Sequence, residues 1–185
     1  MENPYKRKKD PEASKQLILN TAAEIGATAD WHQVTFQAIA DKTGLSKGGI
    51  IHHFRSKEEL LEELVLQSLV ELTEWIDEEK RTSGNNIAPI AFLHFVIKKS
   101  DDLHYRRAMK VILQAALINE HYKKMWDDWF TQHIAGGSVA DLDINSLIIM
   151  LVADGLWYAD NLGVYNITAK KKQQILNKLL SMQHE

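Results

Sequence analysis

The chain has no cysteine, and only three prolines, Pro4, Pro11 and Pro89, in 185 residues. Without cysteine there is no disulfide scaffold and no thiolate metal site, which fits a reducing, cytoplasmic setting. With so little proline, long helices meet few breaks. Alternating Val/Ile/Thr segments are missing too, so nothing reads as a β-strand. The longest apolar run, LIIMLVA over Leu147–Ala153, falls far short of a membrane span. The basic start at Lys6–Lys9 is followed by no apolar stretch and does not read as a signal peptide. No internal repeat, phosphate loop, HExxH pair or nucleophile–base pair stands out. The expectation is therefore a protein without metal or cofactor that is not an enzyme.

What is present is helical periodicity. Hydrophobic residues make up 45% of the chain and charged ones 25%, as in an ordinary globular protein. Apolar residues recur at helical spacing almost throughout, which predicts an all-α fold of about nine helices. Asp10 with Pro11 reads as the start of the first helix. Thr35, Ser46, Asp143 and Thr168 read as later N-caps. Ser56-Lys57-Glu58-Glu59 has the form of a capping box. Breaks fall at Thr82–Asn86, near Asn119, at Gly136-Gly137-Ser138 and at Gly163.

The most informative stretch is TFQAIADKTGLSKGGIIHHFRSK, Thr35 to Lys57. Phe36, Ile39 and Ala40 sit at helical spacing before Gly44; Ile50 and Phe54 do so after it. Two short helices joined by a tight glycine turn form the helix-turn-helix signature, whose second helix enters the DNA major groove. The formal net charge of −3 looks wrong for that role. It is unevenly spread, however: residues 1–60 sum to +1 and the remainder to −4. Lys6–Lys9 form one basic block, and Lys42, Lys47, Arg55 and Lys57 lie on or beside the helix pair. Such local patches matter more than the total.

Over roughly Lys15 to Leu64 the sequence resembles the TetR family of bacterial transcriptional repressors. The resemblance rests on Ile18, Ala22, Trp31, Thr35, Ile39, Ala40, Gly44, Leu45, Ser46, His53, Phe54, Ser56, Lys57, Glu58, Leu60 and Leu61. ADGLWYADNLG, Ala153 to Gly163, is more loosely similar to the eighth helix of many members. Three positions depart from the pattern: Asp30 replaces a usual glycine, Gly49 a common Thr, and Ile51 a DNA-contacting Tyr. The resemblance implies an N-terminal three-helix DNA-binding domain, residues 1–55. It also implies a C-terminal helical domain, residues 56–185, for effector binding and dimerisation.

The expected DNA-contacting set is Thr35, Ser46, Lys47, Gly48, Gly49, Ile51, His52, His53 and Lys57. Thr35 and Lys57 stand where the family meets phosphates. Lys47 lies in the first turn of the second helix, where DNA contact outweighs the plain reading of a solvated lysine. Gly48-Gly49 costs that helix roughly 1 kcal/mol per glycine relative to Ala, but lets the backbone approach a phosphate closely. His52 and His53 point about 100° apart on a helix, so they are poorly placed to share a metal. The Lys6–Lys9 block reads equally as a solvated tail or a minor-groove arm.

An effector pocket is expected among His94, Trp126, Phe130, Asp154, Trp157 and Tyr158, since aromatic density with a few polar groups suits a small molecule. Core packing is the bland reading of the same aromatics. A homodimer is expected through Leu147, Leu151, Ile175, Leu176, Leu179 and Leu180, because the first half of the eighth helix has no polar face. The implied partners are a palindromic double-stranded operator, an unidentified small-molecule effector and a second copy, with no membrane. Two alternatives stay open: a helical adaptor that keeps the fold without effector-controlled DNA binding, and an α-helical enzyme.

Overall fold

The structure, a computed structural model, describes residues 10–182 apart from residues 30 and 85. The basic block Lys6–Lys9 and the Asp30 departure lie outside the described residues. Nine α-helices and two short 3-10 turns make up the ordered elements, and no strand occurs among the described residues. Nor, among them, is any helix long and apolar enough to cross a membrane.

The helix starts follow the capping chemistry of the sequence. Helix α1 runs Pro11–Thr28, with Asp10 Oδ1 accepting from the amides of Glu12 and Ala13 at 3.1 Å each. After a 3-10 turn at Trp31–Gln33 come α2, Phe36–Thr43, and α3, Lys47–His53, capped by Thr35 and Ser46. Helix α4, Lys57–Ser83, spans 27 residues, about 40 Å at 1.5 Å per residue. Its capping box differs from the expected form. Ser56 Oγ accepts from Glu59 N at 3.1 Å, but the Glu59 carboxylate reaches past Ser56 to the amide of Arg55, at 2.7 Å. The rest are α5 Ala88–Lys99, α6 Leu103–Ile118, α7 Glu120–His133, α8 Ile144–Leu162 and α9 Ala169–Ser181. Asn119 is at once the C-cap of α6 and the N-cap of α7. Gly163, at φ 69, ends α8 in the left-handed conformation that glycine adopts freely.

Helices α5 and α6 are central. The most extensive helix contacts are α5 with α8 and α1 with α6. Buried residues form one continuous cluster from Ile18 to Leu179. Buried polar groups tie the helices at defined points, as they must to offset desolvation. Trp129 Nε1 donates to Thr73 Oγ1 at 2.8 Å, joining α7 to α4, and Trp157 Nε1 donates to Tyr105 Oη at 2.8 Å, joining α8 to α6. The buried Glu79 carboxylate of α4 accepts from Lys98 of α5 and lies 2.9 Å from His94 Nδ1 of the same helix as Lys98. Lys172 of α9 meets both oxygens of Asp160 of α8 at 2.7 Å.

Helix α1 lies against α6 more closely than a side chain at position 26 allows. A Cβ on Gly26 would come 2.7 Å from Val111 Cγ2. Gly26→Ala should therefore destabilise the protein by about 1–3 kcal/mol, the usual overpacking cost, instead of gaining helix propensity. Thermal melts should show the loss, and Val111→Ala in the same chain should recover much of it. A Gly26→Ala variant as stable as the parent would disprove the close approach.

Candidate nucleic-acid interface and regulatory cluster

The helix pair is built around two apolar anchors. Ile50 and Phe54 are buried, and Gly44, at φ 72, turns the chain between α2 and α3. Of the seven residues of α3, only Ile50 is buried. Lys47, Gly48, Gly49, Ile51 and His52 are exposed and His53 is half-buried, so the anchors aim the remaining face outward. Thr35 and Ser46 are exposed caps whose hydroxyl oxygens accept from Ala38 N at 3.0 Å and Gly49 N at 3.1 Å. Each hydroxyl keeps its own hydrogen for an outside acceptor such as a phosphate oxygen. Pro11 and Ser14 of α1 border a groove of about 300 Å³ with Ser46, Gly49, His52 and His53. The His52 and His53 rings stand edge to face, 5.8 Å apart.

The cations around this face differ in freedom. Lys42 pairs with Glu24 at 3.2 Å. Lys47 is exposed and forms no ion pair or hydrogen bond through its side chain among the described residues. Lys57, expected to meet a phosphate, donates one hydrogen bond to the Trp31 carbonyl and lies 4.9 Å from the centre of the Trp31 ring. It fastens the start of α4 to the corner after α1. The sequence held a faint sign of this: a lysine in a helix's first turn opposes the helix dipole and so gains from a local acceptor.

The two glycines of α3 also differ. A Cβ on Gly49 would come 3.2 Å from Ser46 Oγ, whereas one on Gly48 would meet nothing within 4 Å. Nothing among the described residues explains why position 48 lacks a side chain.

The expected effector residues separate into groups. Trp126 of α7 stacks on Trp157 of α8, centroids 5.3 Å apart and planes at 27°. Trp157 in turn meets Tyr158 edge-on at 4.9 Å. Phe130 packs edge-on against Phe92 of α5 at 5.6 Å, and His94 is engaged with Glu79 at 2.9 Å. Trp157 and Phe130 are buried, as the core reading of the aromatics had it. Asp154 shares a flank of α8 with Trp157 and Tyr158, at spacings of three and four residues. It makes no hydrogen bond or ion pair among the described residues, and burial pushes its carboxyl up to about 6. The Tyr158 phenol is raised by burial and then by the Asp154 charge.

On α8 the outer face carries Ile144, Leu151, Tyr158 and Leu162, all well exposed, beside half-buried Leu147 and Ile148. This is a continuous apolar stripe at helical spacing. On α9, Leu176 and Leu179 turn the other way and are buried against their own chain, while Ile175 and Leu180 are half-buried.

Residues 18–64 match the bacterial regulatory proteins of the tetR family, and residues 90–184 match the tetracyclin repressor-like C-terminal domain. The chain is similar to the transcriptional repressor KstR2 of Mycolicibacterium smegmatis, 26% identical over 80% of this chain and 78% of that one. It is similar to the fatty acid metabolism regulator protein of Bacillus subtilis, 27% identical over 69% of this chain and 72% of the other. Among solved structures, Salmonella enterica GusR superposes with a TM-score of 0.64 at 19% identity, covering 95% of this chain and 99% of that one; this likeness is one of fold.

Gly48→Ala should raise thermal stability, by up to about 1 kcal/mol of helix propensity, and weaken DNA binding by blocking close backbone approach. Melting curves and mobility shifts on one preparation check both; an alanine variant that binds as tightly removes the argument. A second expectation concerns Asp154. The folded carboxyl takes its proton near pH 6, the unfolded one near 3.9. Between those values the folded state holds more protons, so stability falls as pH rises through the window and levels off above it. Asp154→Asn should therefore raise the melting temperature at pH 7.5, with the gain fading by pH 4. Equal gains at both pH values would contradict the buried carboxyl.

Proposed function

The chain belongs to the tetR family of bacterial regulatory proteins, and on that premise we propose that it is a homodimeric repressor released from a palindromic operator by a small-molecule effector. Residues 1–55 read DNA and residues 56–185 bind effector and dimerise, in the cytoplasm. The observation that carries the reading is α3 itself, with its whole polar face turned outward over two buried anchors. Thr35, Ser46, Lys47 and His53 meet phosphates, Gly48 and Gly49 let the backbone approach a phosphate closely, and Ile51 and His52 face the groove. The amide end of α4 attracts a phosphate, with Lys57 holding that end in place. Among structural neighbours, one regulator is described in complex with choline and a multidrug binding protein in complex with imidazole. These support a small-molecule effector here, and the Trp126–Trp157 stack with Asp154 and Tyr158 is its best seat. Phe130 packs on Phe92 and His94 pairs with Glu79, so neither is part of the stack itself.

Effector control is a population shift: the effector favours a conformer whose reading heads are out of register with successive major grooves, and must bind that conformer more tightly. The dimer uses the first half of the outer stripe of α8, with Leu151 and Leu147 at its centre, flanked by Ile175 and Leu180 of α9, and leaves Tyr158 and Leu162 outside it. Leu176 and Leu179 back this interface from within each chain. Two-fold symmetry then presents half-sites about one DNA turn, ~34–36 Å, or a multiple apart.

Selection of bound DNA from a random pool, followed by a screen for compounds that release it, tests the whole reading. A palindromic consensus is expected. Lys47→Ala should weaken binding across sequences and flatten the salt dependence by about one unit of log–log slope. Leu151→Glu should give folded monomers that bind DNA poorly. A parent protein that light scattering finds monomeric at micromolar concentration would end both the interface and the palindrome. A pool that yields no bound DNA would favour the adaptor alternative.

A further inference from the structure

Helix α6 carries three cations in succession along one side, Arg106, Arg107 and Lys110, and no ion pair neutralises any of them among the described residues. They line a groove of about 360 Å³ between the C-terminal ends of α1 and α8, within the size range of small-molecule sites. Part of their charge has a structural use. Lys110 donates to the Ala27 carbonyl at 2.6 Å and Arg106 to the Asp160 carbonyl at 2.8 Å, so each caps a helix C-terminus. Each such end carries only about half a unit of negative charge. Two ends offset roughly one of the three positive charges. Arg107 touches neither and makes no hydrogen bond or ion pair among the described residues. The nearby carboxylates do little to change this. Asp160 is held by Lys172 and Asp102 by Lys99. Asp101 borders the neighbouring cleft with Arg106 but forms no ion pair with it.

Two further features shape what this groove accepts. Asn161 lines it and is buried; its Nδ2 donates to the Trp157 carbonyl, while its Oδ1 is left without a partner. That oxygen is closed to solvent, so the groove offers a ligand no acceptor there. Leu103 and Leu162 stand at the rim, 59% and 60% exposed, and offer apolar surface beside the charge.

We propose that the groove between α1, α6 and α8 binds a phosphate monoester that carries an apolar chain. A phosphate matches the surplus of roughly two positive charges better than a carboxylate, and arginine meets its oxygens in a bidentate fork. The chain lies over Leu103 and Leu162. The site is separate from the Trp126–Trp157 cluster, and it touches the DNA-binding head through Ala27 and Thr28.

The intact protein, without DNA, is titrated calorimetrically with octyl phosphate, inorganic phosphate, octanoate and octyltrimethylammonium. Octyl phosphate should bind once per chain, at least tenfold more tightly than inorganic phosphate or octanoate, and the ammonium should not bind there. Arg107→Gln, which removes no hydrogen bond or ion pair among the described residues and keeps most of the side chain's length, should leave the melting temperature nearly unchanged and weaken octyl phosphate at least tenfold. Equal binding of phosphate and ammonium amphiphiles overturns the proposal, as does an Arg107→Gln variant of unaltered affinity. Inorganic phosphate binding as tightly as its octyl ester overturns the role of the apolar rim, and octanoate matching octyl phosphate overturns the choice of headgroup. An effector seated on the aromatic cluster would be lost in Trp157→Ala and unaffected by Arg107→Gln, so failure of this site and failure of effector control are told apart.

Discussion

The close approach of α1 to α6 is the contact on which the rest of the molecule depends. It brings the Val111 methyl to where the Cβ of residue 26 would be. That density fixes the spacing of two helix axes to within a few tenths of an ångström. Lys110, one residue before Val111, then reaches the end of α1 and closes the contact with a charged hydrogen bond. The helix that begins the DNA-reading unit is thereby a packed layer of the larger helical body. The head cannot shift relative to that body without repacking this seam or bending at its edges.

Helix ends are where this fold spends its charge. Lysine and arginine side chains of α6 serve the C-termini of α1 and α8, which have unsatisfied carbonyls and a negative dipole end. At the opposite ends, Asp10, Thr35, Ser46, Asp102, Asp143 and Thr168 supply oxygens to free amides. The Asp102 and Asp143 carboxyls are held below their usual range, Asp102 first by the hydrogen bond from Lys99 and Asp143 first by its bonds to Ser146. Surface pairs such as Lys124–Asp128 add little beside this, since exposed ion pairs contribute under about 1 kcal/mol.

Local chemistry was legible in the sequence and tertiary chemistry was not. Every N-cap named from Asp10 to Thr168 sits where the short polar residue precedes an apolar period, because capping involves residues two or three apart. The helix-turn-helix was legible for the same reason: Gly44 and the Ile39–Ile50–Phe54 spacing are local facts. His94 could not be placed, since its partner Glu79 is fifteen residues away on another helix. Glu79 did leave a trace, as it continues the buried series Leu69, Leu72, Ile76 with a carboxylate where an apolar residue is due. Lys172 is similar, standing four and seven residues before the buried Leu176 and Leu179. A charge on a core-facing position marks a partner without naming it. The α9 leucines were legible as a stripe but not as to which side faces out, because a helix wheel gives a face and not its neighbour. Gly26 gave no sign at all; a glycine inside a helix says only that something is close.

Helix α4 is held at both ends by such unforeseen contacts, and this bears on how the head could be moved. At its start Lys57 grips the Trp31 carbonyl and ring; near its end Glu79 is clasped by His94 and Lys98. Between those points it is crossed by Trp129, whose indole N–H is bonded to Thr73. A ligand that wedges between Trp126 and Trp157 would press first on the neighbouring Trp129, whose ring lies 5.7 Å from that of Trp126. One line of contacts from the aromatic cluster runs through Trp129 and Thr73 into α4, and the first turn of α4 meets the corner at Trp31. The second route runs from Trp157 through Tyr105 along α6 to Lys110 and the end of α1. Both join side-chain hydrogen bonds through stretches of helix; the first ends at Trp31, in the 3-10 turn that precedes α2, and the second at Ala27, near the end of α1. Helices α2 and α3 pack on each other over buried Ile39, Ile50 and Phe54, so a shift of that turn bears on both.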